Sequence, residues 1–417
     1  MNNNTLEYVL SGTGYMRIHT KGLAQETNDF INECLLRMNK AFPEQKISFL
    51  YNGWTEQDLG RHLAENFSQS MPNMYADSGG LQVITRGKQI TEEMKQGVYE
   101  NQAKYASRAF IFDEIPVSFT GTKSARLDIT TRWYDMDKFE GCARRTGQNV
   151  AKQIETFLDM KSKARPVFIV QGNCYETCMD WTRLALEEIP KEHHKYIGAA
   201  AMSFSSMGFG MLEDIRRAFY FTQLPFEIDH VHLLGVGAVA RLIPQLLFCQ
   251  TGVYKDTHIS YDSTSHSGSI ITGRFFIDGG DMRFPRQLDN IKWPRMFNSI
   301  KDKFDLDLSL KEFHDILNSS SKDIDENYGS RDKQVQALSA AILAQTWNFM
   351  NSVEGVYNSP EALFNVAKKK KCDNIIKSLA EVKTLADFDY WEHHLGRFVE
   401  SKRIVKDKPI TLHEFFE

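Results

Sequence analysis

Eight short apolar runs separated by seven amphipathic stretches predict an α/β fold, a (β/α)8 TIM-type barrel with a C-terminal helical region. The runs are LEYVL (6–10), ISFLY (47–51), NMYAD (73–77), AFIFD (109–113), VFIVQ (167–171), YIGAA (196–200), VHLLG (231–235) and HISYD (258–262). All have the length of a strand, and most are rich in aromatic and β-branched residues. An open doubly wound sheet is the alternative, but it usually needs fewer strands.

The helix-like stretches lie near 24–40, 55–69, 91–106, 142–160, 176–188, 209–222 and 238–250. In the first, Phe30, Ile31, Cys34, Leu35 and Met38 fall on one helical face. The second offers Thr55 as its N-cap and Asp58 as a capping-box-like acid. Beyond about residue 290 the strand pattern stops, and 309–319, 332–352, 360–371, 372–382 and 385–401 all read as helices. The expected organisation is a barrel over 1–285 and a helical region over 286–417. That region is either an appended domain or an elaboration of the last barrel helix.

The 417 residues are 42% hydrophobic and 25% charged, a globular composition, with a formal net charge of −4. Overall charge therefore does not announce nucleic-acid binding, and any basic surface must be local. The six cysteines are scattered, which makes no disulfide framework and fits a reducing cytosol. The opening MNNNTLEYVL lacks the basic and apolar regions of a signal peptide. No apolar run approaches the ~20 residues of a membrane helix. A cytoplasmic protein is expected.

In such barrels the active site is built where the strands end. Here the strand ends carry Asp77-Ser78-Gly79-Gly80, Asp113-Glu114, Gln171-Gly172-Asn173, Gly198-Ala199-Ala200, Leu234-Gly235-Val236-Gly237 and Asp262-Ser263-Thr264. A single Asp after a strand is an ordinary turn former or helix cap. Several carboxylates on one rim repel one another, so their convergence points to a function.

Metal and cofactor chemistry is not indicated. There is no His-x₂₋₄-His or paired-Cys ligand motif, and Cys174 and Cys178, with His193 and His194 further on, read as ordinary helix residues. Gly235-Val236-Gly237 lacks the third glycine of a dinucleotide fingerprint, and neither a phosphate-binding P-loop nor a G-x-S-x-G elbow occurs. What remains is carboxylate chemistry. Two carboxylates flanking a sugar can split a glycosidic bond, one attacking the anomeric carbon and the other protonating the leaving group. A Gln beside an Asp presents the donors and acceptors that read a purine edge.

Taken together and in order, DSGGLQ (77–82), FDE (112–114), QG (171–172), YIGA (196–199), LLGVG (233–237) and YDS (261–263) resemble the tRNA-guanine transglycosylase superfamily. The resemblance covers roughly residues 70 to 275. It implies a (β/α)8 barrel that exchanges guanine in a nucleic acid for a 7-deazaguanine. It casts Asp262 as the nucleophile that attacks C1′ and Asp77 as the general acid/base. Asp113 and Gln171 would read the base, with Gly172, Gly198, Ala199, Leu234 and Gly235 around the same heterocycle. Ser78, Gly79 and Gly80 would let the base approach the loop.

The sequence also departs from the tRNA enzymes. Leu81 stands where that family usually stacks an aromatic ring, and Ser263 to Gly268 replace a Pro-Thr-Arg stretch that grips the anticodon loop. Cys372 is the only cysteine beyond Cys249, so the family's zinc site is missing. These departures resemble the branch that modifies DNA, the 7-deazaguanine DNA transglycosylases of phages and bacterial modification islands. Those enzymes insert 7-cyano-7-deazaguanine or its derivatives.

The resemblance thus implies DNA and a free 7-deazaguanine base as partners, no cofactor and no membrane, with homodimerisation left open. The target base would have to be flipped out or single-stranded. Candidate phosphate contacts are Arg86, Lys88, Arg126, Arg132, Arg144, Arg145, His266 and Arg274, with Lys368 to Lys371 as a further patch. Three other readings stay open: the same chemistry on tRNA, a non-catalytic accessory subunit on the same barrel, and an unrelated barrel glycosidase or lyase.

Overall fold

Eight parallel strands close into a barrel, in the spatial order β1-β10-β9-β8-β7-β4-β3-β2. This is the α/β barrel that the alternating pattern predicts. The structure is a computed structural model that describes residues 4–16, 23–80, 90–116, 119–120, 128–129, 136–172, 174–203, 211–318, 331–369 and 382–390. The barrel strands are β1 (Thr5–Leu10), β2 (Gln45–Asn52), β3 (Met74–Asp77), β4 (Arg108–Phe110), β7 (Arg165–Val170), β8 (Ala199–Ser203), β9 (His230–Leu234) and β10 (His258–Ser263). A two-stranded antiparallel ribbon, β5 (Phe119–Thr120) and β6 (Asp128–Ile129), is inserted between β4 and β7. A second ribbon, β11 (Arg274–Ile277) and β12 (Gly280–Arg283), follows the last barrel strand.

The outer layer is helical: α1 (Gln25–Ala41), α2 (Gln57–Phe67), α3 (Glu92–Tyr105), α4 (Met136–Asp159), α5 (Tyr175–Glu187), α6 (Met211–Tyr220) and α7 (Ile243–Thr251). The apolar face read for α1 holds, with Ile31, Cys34, Leu35 and Met38 buried. After β10 come α8 (Ser265–Ile271), α9 (Lys292–Lys301), α10 (Leu310–Asn318), α11 (Arg331–Tyr357) and α12 (Pro360–Lys369). The long α11 packs between α1 and α7 and thereby takes the place of the barrel's eighth outer helix. Its Phe349 meets Tyr8 of β1 edge-on at 5.7 Å, and Trp347 meets Phe42 at 5.2 Å. One hydrophobic core therefore runs from the barrel into the C-terminal helices. No helix among the described residues is long and apolar enough to cross a membrane.

Two local expectations are corrected. Thr55 does not cap α2; the helix starts at Gln57, with Glu56 in the cap position. Asn52 organises that turn instead, because its Oδ1 accepts the Trp54 and Thr55 N–H groups at 3.0 and 2.9 Å. An Asx turn of this kind closes the loop that leads into the helix without capping the helix itself.

The YIGAA run is also displaced. Lys191–Tyr196 form a 3-10 helix behind Pro190, so the strand starts only at Ala199 and ends at Ser203. Gly198 and Ala199 therefore sit at the N-terminal end of the barrel. There Gly198 packs under the Arg165 guanidinium and its carbonyl accepts the Asp229 N–H at 3.1 Å. They are at the opposite end from the other strand-end residues and cannot line a pocket with them.

Candidate active site at the barrel mouth

Side chains alternate along a strand, so every second residue faces the barrel lumen. In β3 this phase points Tyr75 and then Asp77 inward, and in β10 it points His258, Ser260 and then Asp262 inward. Asp77 and Asp262 thus cap the lumen at its C-terminal mouth. Asp113 stands just beyond β4, and Gln171 just beyond β7. The structure brings these four residues to one rim, as their strand-end positions require.

Asp77 lies at a shaped corner. Its carbonyl accepts the Gly53 N–H at 2.8 Å, and its carboxylate lies 3.5 Å from the Asn52 amide. Gly79 follows at φ +77, and a Cβ there would come within 2.8 Å of Asn52 Oδ1 and Trp54 Cβ. Only glycine takes that turn without strain. Ser78 is buried, and its Oγ accepts the Gly80 N–H at 3.2 Å. Gly80 itself lies against the Asp113 carbonyl.

Burial, then the neighbouring Asp113 charge, pushes the Asp77 carboxyl up to about 7; the Ser78 and Gly79 backbone N–H groups pull the other way. Burial likewise raises Asp113 to about 6, against the opposing pull of the Gln171 amide. That amide donates to Asp113 Oδ2 at 2.6 Å. Glu114, next in the chain, is held by Arg145 and lies 3.6 Å from Lys95.

Asp262 is held differently. Its Oδ1 accepts the Gly235 N–H at 2.9 Å and lies 3.4 Å from His232 Nε2. Gly235 reaches it because the chain turns at φ +73 directly after β9. Among the described residues Oδ2 has no hydrogen-bond partner. Leu234 stands beside this contact at the tip of β9, and Gly172 packs against Cys178 under the tip of β7.

A raised carboxyl pKa carries a stability cost. A carboxyl whose folded pKa lies above its unfolded value binds more protons when folded, so its contribution is lost as pH rises from about 4 through 6 and 7. Asp77→Asn removes that ionisation. It is expected to raise stability at pH 8 by on the order of 1–4 kcal/mol relative to the native protein, and by little at pH 4. Thermal melts of both proteins at the two pH values check this.

The proposed phosphate contacts divide. Arg86, Lys88, Arg126 and Arg132 lie outside the described residues, as do Leu81 and Asn173. Arg144 is committed to the α4–α5 flank, at 3.0 Å from Glu140, 2.9 Å from Glu187 and 3.0 Å from Glu188. Arg145 is committed to Glu114. His266 is a core residue: it is buried, its Nδ1 lies 2.6 Å from the Tyr8 hydroxyl, and its ring packs on Phe349 at 4.4 Å. Burial drives its pKa down to about 3, so it is a neutral ring unable to meet a phosphate as a cation.

Of the described candidates, Arg274, Lys369 and the buried His266 line an open cleft. That cleft, of about 1220 Å³, starts at Gly237–Ala240 and Thr264 beside the Asp262 strand tip and runs along the β11–β12 ribbon. Arg283 lines it too, and none of Arg274, Arg283 and Lys369 has a carboxylate partner among the described residues. Arg283 escapes sequence reasoning because the ribbon carries no alternating apolar signal.

Cys174 lies at the N-cap of α5 and Cys178 is buried one turn on. No cluster of His, Cys, Asp and Glu able to hold a metal occurs among the described residues. The chain matches no protein-family model and no curated protein sequence.

Proposed function

We propose that the protein is a DNA-guanine transglycosylase, exchanging guanine in DNA for a 7-deazaguanine such as 7-cyano-7-deazaguanine. The observation that carries this reading is the division of labour among three carboxyls on one rim. Asp262 offers an unengaged Oδ2 at the mouth. Asp77 is held near 7, where a carboxyl can both give and take a proton. Asp113 and Gln171 form a donor–acceptor pair beside them.

In this reading Asp262 Oδ2 bonds to C1′ as the C1′–N9 bond breaks. The bonding pair leaves with guanine, which takes the Asp77 proton. The incoming base gives its N9 proton to Asp77, and its nitrogen displaces Asp262 from C1′. Ionised Asp113 accepts from the N1–H and N2–H₂ edge of guanine. In this reading Leu234 and Gly235, at the tip of β9, would border the base. Gly198 and Ala199 drop out, and Met202 and Ser203 hold the mouth end of their strand.

The test is direct: incubate the protein with DNA or with tRNA and 7-cyano-7-deazaguanine, digest, and quantify nucleosides. The modified deoxynucleoside is expected from DNA. Modification of tRNA alone would replace this reading with the tRNA reaction, and modification of neither would remove both.

The cleft beside Asp262 supports a polyanionic partner. Reversing both Arg274 and Arg283 to Glu is expected to lower affinity for a guanine-containing single-stranded oligonucleotide. It should also reduce the slope of log K against log salt by about 1–2. Anisotropy titrations at several salt concentrations measure both.

A further inference from the structure

The lumen of this barrel is not filled by the branched apolar layers that usually pack such a core. A column of hydrogen-bonding side chains runs down it from Asp262. His232 Nδ1 lies 2.6 Å from Ser260 Oγ, and His230 Nε2 lies 2.5 Å from the same oxygen. The Tyr75 hydroxyl stands 3.4 Å from His230 and donates to Glu7 at 2.7 Å. Glu7, fully buried, also takes the Asn73 amide and lies 2.6 Å from His258 Nε2. His258, in turn, lies 2.7 Å from the Thr5 hydroxyl at the far end of the barrel.

The direction of each hydrogen bond follows from its two ends. A carboxylate only accepts, so a hydrogen bond across the 3.4 Å between His232 Nε2 and Asp262 Oδ1 requires Nε2–H and leaves Nδ1 bare. Ser260 then donates to that Nδ1, and its oxygen accepts the Nε2–H of His230. At the lower end Glu7 accepts from His258 Nε2–H. Burial, above all, keeps His230 well below its ordinary range, so it stays neutral. His232 is fully buried against Phe110 and Tyr75, with ring centroids at 4.7 and 5.6 Å, and Nε2 has no hydrogen-bond partner. Among the described residues its near polar neighbour is Asp262 Oδ1, at 3.4 Å.

Base exchange consumes one proton and returns one at the same place, so the column need not carry protons away. We propose instead that it is an orienting device for the nucleophile. His232 is a positioning residue whose Nε2–H holds Asp262 Oδ1 and turns Oδ2 toward C1′, with Ser260 and His230 fixing its tautomer. This role rests on the base-exchange reading of Asp262.

Two measurements test it. The first needs no activity: long-range ¹H–¹⁵N spectra of the full chain labelled in histidine, with His232 assigned by loss of its signals in His232→Gln. An Nε2–H tautomer is expected, lost or mixed in Ser260→Ala. An Nδ1–H tautomer in the native protein, or an unchanged one in Ser260→Ala, would overturn the proposal.

The second is covalent-adduct formation with guanine-containing DNA. His232→Leu should slow it about 10²-fold. His232→Gln, which keeps a donor at the same reach, should restore it to within about 10-fold of native. Equal loss in both variants, with native melting temperatures, would reduce His232 to a packing residue. If the native protein itself forms no adduct, the base-exchange reading fails, and the tautomer spectra alone decide whether the column holds Asp262.

Discussion

Asp262→Asn is expected to lower base exchange by about 10⁴-fold or more, with the fold intact. Asn keeps an Oδ1 that can accept the Gly235 N–H, so the β9–β10 corner should persist. What it loses is the anionic oxygen. A carboxylate attacks an oxocarbenium-like centre without needing a base to activate it, and leaves again as a stable anion. An amide does neither. Activity within 10-fold of native, measured by incorporation of labelled free base into DNA, would move the nucleophile elsewhere.

Asp77→Asn is expected to lower exchange by about 10²–10⁴-fold while leaving DNA affinity within a few-fold of native. The native pH profile carries the same information. Asp77 must begin protonated to release guanine, so the rate should fall as pH rises through about 7. Asp113 must be ionised to accept from guanine, so the rate should fall as pH drops through about 6. A narrow bell with its maximum between these values is expected for kcat/KM. Because the two acids interact, its limbs belong to the pair rather than to either residue. Asp77→Asn should remove the alkaline limb. A profile flat from pH 5 to 9 would contradict this assignment.

The barrel was legible because its signal is repetitive: apolar strands of similar length alternate with one-sided helices. Asp77, Asp113, Gln171 and Asp262 were legible because a strand end is a fixed place in such a barrel. Gly198 and Ala199 were misplaced because small residues carry no phase: in YIGAAAMS nothing local says where the strand starts, and the 3-10 helix runs to Tyr196, so the strand begins only at Ala199. His266 was misread because a polar side chain one turn after the proposed nucleophile looks exposed until α11 is seen to cover it.

The lumen column had a readable signal. His258, Ser260 and Asp262 alternate at period two, as do His230 and His232 on the neighbouring strand, and counting back from the proposed nucleophile places His258 and Ser260 inside the barrel. Glu7 had none, because only the pairing of β1 with β10 puts it opposite Ser260, in the same layer as the column.

The central claim is that Asp262 becomes covalently bonded to the sugar of the displaced guanine. Denaturing the protein during turnover with guanine-containing DNA, followed by proteolysis and peptide mass mapping, tests it most directly. The account predicts a nucleotide-bearing peptide modified at Asp262, lost on addition of excess free base. An adduct on another residue, or guanine release that leaves abasic DNA with no adduct, would contradict it.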